Sequence, residues 1–179
     1  MSNSMSDAYL EHFGVKGMRW GVRKKPVYST LGPNRQDVTT SSGTKLSIQK
    51  DPQVAVARFL SLHGTDAAKK FVNSTASYTI RDESNKKVGT ASVAKTGKNE
   101  LHLDWLKIDS SQQGRGYGTA VLNGAVAIGK ASGFSKAVLE VPGISPDARH
   151  IYEKAGFKVV KIETSGDIWG GLTRMELDY

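Results

Sequence analysis

The chain has 179 residues, 38% of them hydrophobic and 23% charged, with a formal net charge of +8 and no cysteine. That length supports one domain with its own core, and the missing cysteines exclude disulfides, thiolate metal sites and a cysteine nucleophile. No apolar run approaches the ~18 residues of a membrane span, and the N-terminus lacks the basic start and apolar core of a secretory signal.

The charge is uneven. Residues 1–35 hold six basic side chains against Asp7 and Glu11, which is half of the net charge. Residues 1–43 show no sustained periodicity and are rich in Gly, Pro, Ser, Thr and Asn. They read as a tail or linker ahead of a folded domain over residues 44–179. Within the tail, "HFGVKGMRWGVRKK" sets Phe13 and Trp20 among basic residues at 12–25. Such interleaving can engage nucleic acid, but docking to a protein surface is the preferred reading.

From Lys45 the elements follow in order. "TKLSIQK" alternates like a short strand. "DPQVAVARFLSLHG" reads as a helix with Asp51 as N-cap, Pro52 in its first position and Gly64 past its end. "TDAAKKFVNS" is a second helix capped by Thr65. "SYTIRDESNKKVGTASVAK" is a hairpin turning at Asp82–Lys87, and "ELHLDWLKI" is the next strand. A glycine-rich loop then enters a helix with Val121, Leu122, Ala125, Ile128 and Gly129 on one side. "KAVLEV" is a buried strand. "SPDARHIYEKAGF" is a helix capped by Ser145, with Pro146 next. "FKVVKIET" and "GLTRMELDY" close the domain as an antiparallel pair.

The loop, "DSSQQGRGYGTAVL", poses the question of function. Glycine in a helix costs about 1 kcal/mol relative to alanine, yet Gly114, Gly116, Gly118 and Gly124 crowd a helix entrance. Glycines there let backbone N–H groups approach a phosphate at the positive helix end. A dinucleotide fingerprint fails because its third glycine would be Thr119 and the preceding strands are antiparallel. A phosphate loop of the G-x-x-x-x-G-K-[ST] kind fails because "GAVAIGKA" lies inside the helix and ends in Ala131.

"QGRGYG" fits Q-x-x-G-x-G, and it resembles the pyrophosphate loop of the GNAT acetyltransferase superfamily. "LKIDSSQQGRGYGTAVL" resembles that family's fourth strand, loop and third helix, and "ARHIYEKAGFKVV" its fourth helix and following strand. The resemblance covers about residues 45–179. It implies an α/β (α+β) fold: a single GNAT-like domain with a mixed, mostly antiparallel sheet and flanking helices, behind an irregular basic tail.

The resemblance further implies acetyl-CoA as cofactor, direct transfer to an amine acceptor of unspecified identity, and no metal. It lays the pyrophosphate on Gln113, Gly114, Arg115, Gly116, Tyr117, Gly118 and Thr119. It pairs the pantetheine arm with the strand edge at Leu106 to Ile108, where two strands splay apart. Lys130 and Lys136 are candidates for the adenosine end. Tyr152 takes the position of the family's general acid, or else packs its ring and bonds the cofactor. Among the alternating Glu100, His102 and Asp104, Asp104 is the leading candidate base, and a bulge common in that strand would change the parity. An asparagine frequent in the family is replaced by Ser145, a departure that weighs against activity but not against the fold.

Residues 12–23 resemble an H-x-G-x-K-G-x-x-W-G-x-R peptide of proteins from tailed-phage head gene clusters. This implies a phage or prophage origin and a virion or head component as partner of residues 12–25. The expected location is the host cytoplasm, with association to the virion through the tail. An alternative reading is a virion or head-assembly structural protein that uses the fold as a scaffold.

Overall fold

The computed structural model describes residues 28–54, 57, 59–60, 63–97, 99–164 and 170–179. Its core is one eight-stranded sheet. The strands are β1 (Arg35–Thr39), β2 (Lys45–Lys50), β3 (Thr75–Arg81), β4 (Lys87–Thr96), β5 (Glu100–Ile108), β6 (Lys136–Pro142), β7 (Lys158–Glu163) and β8 (Leu172–Asp178). The helices are α1 (Asp66–Asn73), α2 (Tyr117–Ala131) and α3 (Pro146–Lys154). The spatial order is β1-β2-β3-β4-β5-β6-β8-β7. Every neighbouring pair is antiparallel except β5–β6.

β1 corrects the domain boundary. Arg35–Thr39 pair with Lys45–Gln49, so the sheet begins inside the segment read as a tail over 1–43. The strand escaped notice because "RQDVT" has only Val38 as an apolar residue, and its burial alternates as an edge strand's does. Residues just before it are also fixed. Leu31 belongs to the core, and the buried ammonium of Lys50 donates to the carbonyls of Ser29 at 2.8 Å and Gly32 at 2.6 Å. The peptide at 12–25 lies outside the described residues.

The expected helix at Asp51 starts later. Asp51–Val54 are not helical. The Asp51 N–H donates to Ser77 O at 2.8 Å, and its carboxylate accepts from the Thr79 hydroxyl at 2.8 Å. Asp51 therefore extends the β2–β3 pairing and caps nothing. Ala57, Phe59, Leu60 and His63 are helical, and the intervening positions fall outside the described residues. Thr65 does cap α1, its hydroxyl accepting from the Ala68 N–H at 3.3 Å.

α2 lies close on the sheet, which explains two of the helix glycines. A Cβ at Gly124 would stand 2.6 Å from Cγ1 of Val38, and one at Gly129 would strike the Tyr179 hydroxyl and come within 2.9 Å of Leu101 Cδ2. The ~1 kcal/mol that each costs in helix propensity is offset by burial of Val121, Leu122 and Ile128 against the strands.

Candidate functional site

Two irregularities of β5 create the site. The first is its parallel partnership with β6, which lasts only from Glu100–His102 to Lys136–Val138. Beyond these residues the strands separate, so the edge of β5 from Leu103 to Ile108 has no ladder partner on that side. The second is a bulge. Val93 pairs with Leu103 and Ser92 with Trp105, which leaves Asp104 as the extra residue. The bulge shifts the parity by one, so Leu101 and Leu103 face the core with Leu106 and Ile108.

The opened gap holds a cavity of about 530 Å³. Asp104, Trp105 and Leu106 border it from β5, Leu139, Glu140 and Pro142 from β6, and Ser145 and Tyr152 from the segment around α3. A second groove of about 840 Å³ runs along the glycine loop, bordered by Leu106, Ile108, Gln113, Gly114, Gly116 to Thr119, Ser145 and Tyr152. Leu106, Ser145 and Tyr152 border both, so the cavity beside Asp104 adjoins the groove along the loop.

The loop is built to expose its amides. Gly114 and Gly116 sit at φ +75° and +76°, a left-handed backbone that side chains disfavour. A Cβ at Gly114 would meet nothing within 4 Å, so that glycine answers to the turn and not to crowding. The side chain of Gln113 donates to Ile108 O at 3.1 Å and ties the loop to the end of β5. The first-turn N–H groups of Tyr117, Gly118 and Thr119 have no intrahelical acceptor. Helix-entrance N–H groups without intrahelical acceptors, beside an open groove, suit a pyrophosphate and hence acetyl-CoA.

Two of the loop residues play parts that the sequence does not reveal. Tyr117 is buried in the core cluster and also borders the groove. Arg115 does not border the groove at all. It lines an adjoining depression with Ser41, Ser42 and Thr44 from the β1–β2 turn, which shares Gly114, Gly116 and Tyr117 with the groove.

Tyr152 stands where the two cavities meet. Its ring packs edge-on against Phe157, with centroids 6.2 Å apart and planes at 64°. Burial pushes its hydroxyl above the usual phenol range, so the group stays protonated at neutral pH. Ser145 begins α3 but makes no side-chain capping bond, and its hydroxyl is left to the cleft. Asp104 Oδ1 lies 2.5 Å from His102 Nδ1. Glu100 is committed elsewhere, 3.8 Å from both Lys136 and Arg174. Lys136 is held by Glu176 at 2.8 Å.

Sequence reasoning missed Glu140 and Trp105 as cleft residues. Glu140 left a signal, being the one charge in the otherwise apolar "AVLEV". Trp105 left none, because its direction depends on the bulge.

Residues 49–157, more than half of the chain, match the model of the acetyltransferase (GNAT) family. The chain belongs to that family. Acetyl-CoA is the cosubstrate of the GNAT family. Residues 2–27 match a separate model, a family of unknown function (DUF7211). No curated protein matches. Among solved structures, the IAA acetyltransferase from Bacillus cereus ATCC 14579 is similar at 17% identity and TM-score 0.59, covering 75% of this chain and 99% of that one. The spermidine N-acetyltransferase of Vibrio cholerae, in complex with CoA and spermine, is similar at 15% identity and TM-score 0.59, covering 74% and 95%. A Bacillus subtilis acetyltransferase in complex with CoA is similar at 17% identity and TM-score 0.59, covering 76% and 99%. These likenesses establish the fold. Among the described residues no helix is long and apolar enough to cross a membrane, and no cluster of side chains could hold a metal.

Proposed function

We propose that this GNAT protein is an N-acetyltransferase that moves the acetyl group of acetyl-CoA directly to an amine, in the cytoplasm of a host cell. The observation that carries the reading is the adjacency of the glycine-loop groove and the cavity beside Asp104, with Tyr152 bordering both. The amides from Gly114 to Thr119 hold the pyrophosphate, and the free edge of β5 at Leu106–Ile108 accepts the pantetheine arm as an added strand. Ser145 offers a hydroxyl to the same arm.

Acetyl-CoA supplies a thioester, and the acceptor needs a neutral nitrogen to attack it. Asp104 takes the proton that the nitrogen gives up as the C–N bond forms. As the C–S bond breaks, the Tyr152 hydroxyl gives its proton to the sulfur and regains one from solvent. A general acid matched to this step contributes about 10²–10⁴ in rate. Incubating the protein with acetyl-CoA and a panel of amines, and following free thiol and acetylated product together, tests the reading. Equal amounts of both are expected, and thiol release without acetylated amine would refute it.

A second role falls to the N-terminal peptide. Residues 2–27 match a family model of their own, apart from the transferase region, which supports a docking segment. The phage-like spacing of His12, Lys16, Trp20 and Arg23 points to a phage head or virion component as its partner. Co-sedimentation of the full chain with phage particles tests this, and Trp20→Ala is expected to abolish it.

A further inference from the structure

The chain is strongly basic, at +8. Yet the cavity at the opened end of β5 and β6 is lined by two carboxylates, Asp104 and Glu140, and by no lysine, arginine or histidine. Glu140 also has no ion-pair partner among the described residues, although cations lie near. Its cross-strand neighbour on β8 is Arg174. Arg174 turns away, to Glu176 at 3.1 Å and to Glu100 at 3.8 Å. Lys161, which shares a small adjoining cavity of about 110 Å³ with Glu140, pairs with Glu163.

The network thus pairs the carboxylates around Glu140 and leaves Glu140 itself without an ion pair beside the cleft, among the described residues. Trp105, 55% exposed, and Leu172 border the same space. An indole face accommodates both an alkyl chain and a cation. An unneutralised carboxylate set across the gap from Asp104 selects for positive charge by complementarity.

We propose that the acceptor carries a second positive charge besides the reacting amine, with Asp104 meeting the reacting nitrogen and Glu140 the distal cation. This rests on the transferase reading above. The full-length protein is assayed with acetyl-CoA and either putrescine or n-butylamine, which share a carbon skeleton and differ by one ammonium group. One charge-assisted contact predicts kcat/KM for putrescine roughly tenfold or more above that for n-butylamine. Glu140→Gln brings the ratio close to one, and Glu140→Lys inverts it. Calorimetric binding of CoA establishes that each variant is folded.

A wild-type ratio near one overturns the proposal and leaves the transferase reading standing. So does a ratio that survives Glu140→Gln with CoA binding intact. Failure to acetylate either amine while CoA binds also overturns it. A wild-type protein that binds no CoA overturns the transferase reading, and the acceptor proposal with it.

Discussion

Nδ1 of His102 and Oδ1 of Asp104 lie 2.5 Å apart across the bulge of β5. An ionised carboxylate only accepts, so the imidazole nitrogen donates. The contact ties down Asp104, which borders the cavity and is the base in the proposed reaction. Asp104→Asn is expected to lower kcat by about 10²–10⁴ with little change in CoA affinity. His102→Ala, which loosens Asp104 without removing it, is expected to cost roughly tenfold, an order of magnitude typical of losing one charge-assisted bond. Steady-state kinetics beside calorimetry separates the two effects.

Tyr152→Phe is expected to reduce kcat by about 10²–10⁴ and to leave CoA affinity nearly unchanged, because the ring packing on Phe157 survives. Burial raises the hydroxyl above its ordinary value of 10.0. The alkaline limb that reports Tyr152 in the wild-type pH profile therefore lies above pH 10. A profile whose alkaline limb moves with Tyr152→Phe at pH 8 would contradict this assignment.

The stability of the folded domain should also fall at high pH. Tyr78, 3% exposed, donates to Leu31 O at 3.3 Å, and burial pushes its hydroxyl up to about 12. A phenol raised in the folded state contributes stability below its unfolded pKa and loses it as pH rises through the folded one. Denaturant midpoints should thus decline between pH 10 and about 12. Tyr78→Phe should flatten part of that decline, with Tyr179, also raised to about 12, accounting for the remainder.

Deleting residues 1–27, which match a family model separate from the transferase region, is expected to leave the melting temperature nearly unchanged. Deleting residues 1–35 also removes Leu31 from the core and strips two carbonyl acceptors from the buried ammonium of Lys50. A loss on the order of 3 kcal/mol translates to roughly 10 °C at this size. Scanning calorimetry of both truncations checks the boundary.

The order of elements from β2 onward was legible because alternation and glycine stops agree along the chain, although of the three expected caps only Thr65 shows its bond. β1 was not, since an edge strand with one apolar residue resembles a linker until Lys50 and Tyr78 are seen holding what precedes it. The loop was legible from its glycine spacing together with the resemblance of the strand and helix that flank it. Its sequence did not separate Gly114 and Gly116, needed for backbone conformation, from Gly124 and Gly129, needed for close approach to Val38, Leu101 and Tyr179. Asp104 was found as one of three alternating candidates. It was already the leading one, and the structure adds the bulge at its position and the ion pairs that occupy Glu100. Glu140 is far from Asp104 in sequence and becomes a cleft residue because β5 and β6 part after His102.

The most direct test of the account is an isothermal titration of acetyl-CoA into the wild-type protein and Gly116→Glu, with melting curves showing both folded. The substitution places bulk and negative charge where the loop amides converge. Saturable binding at one site per chain to the wild type, with at least a hundredfold loss in Gly116→Glu, is the predicted result. Equal affinity for the two proteins would remove the glycine loop from the site and contradict the account.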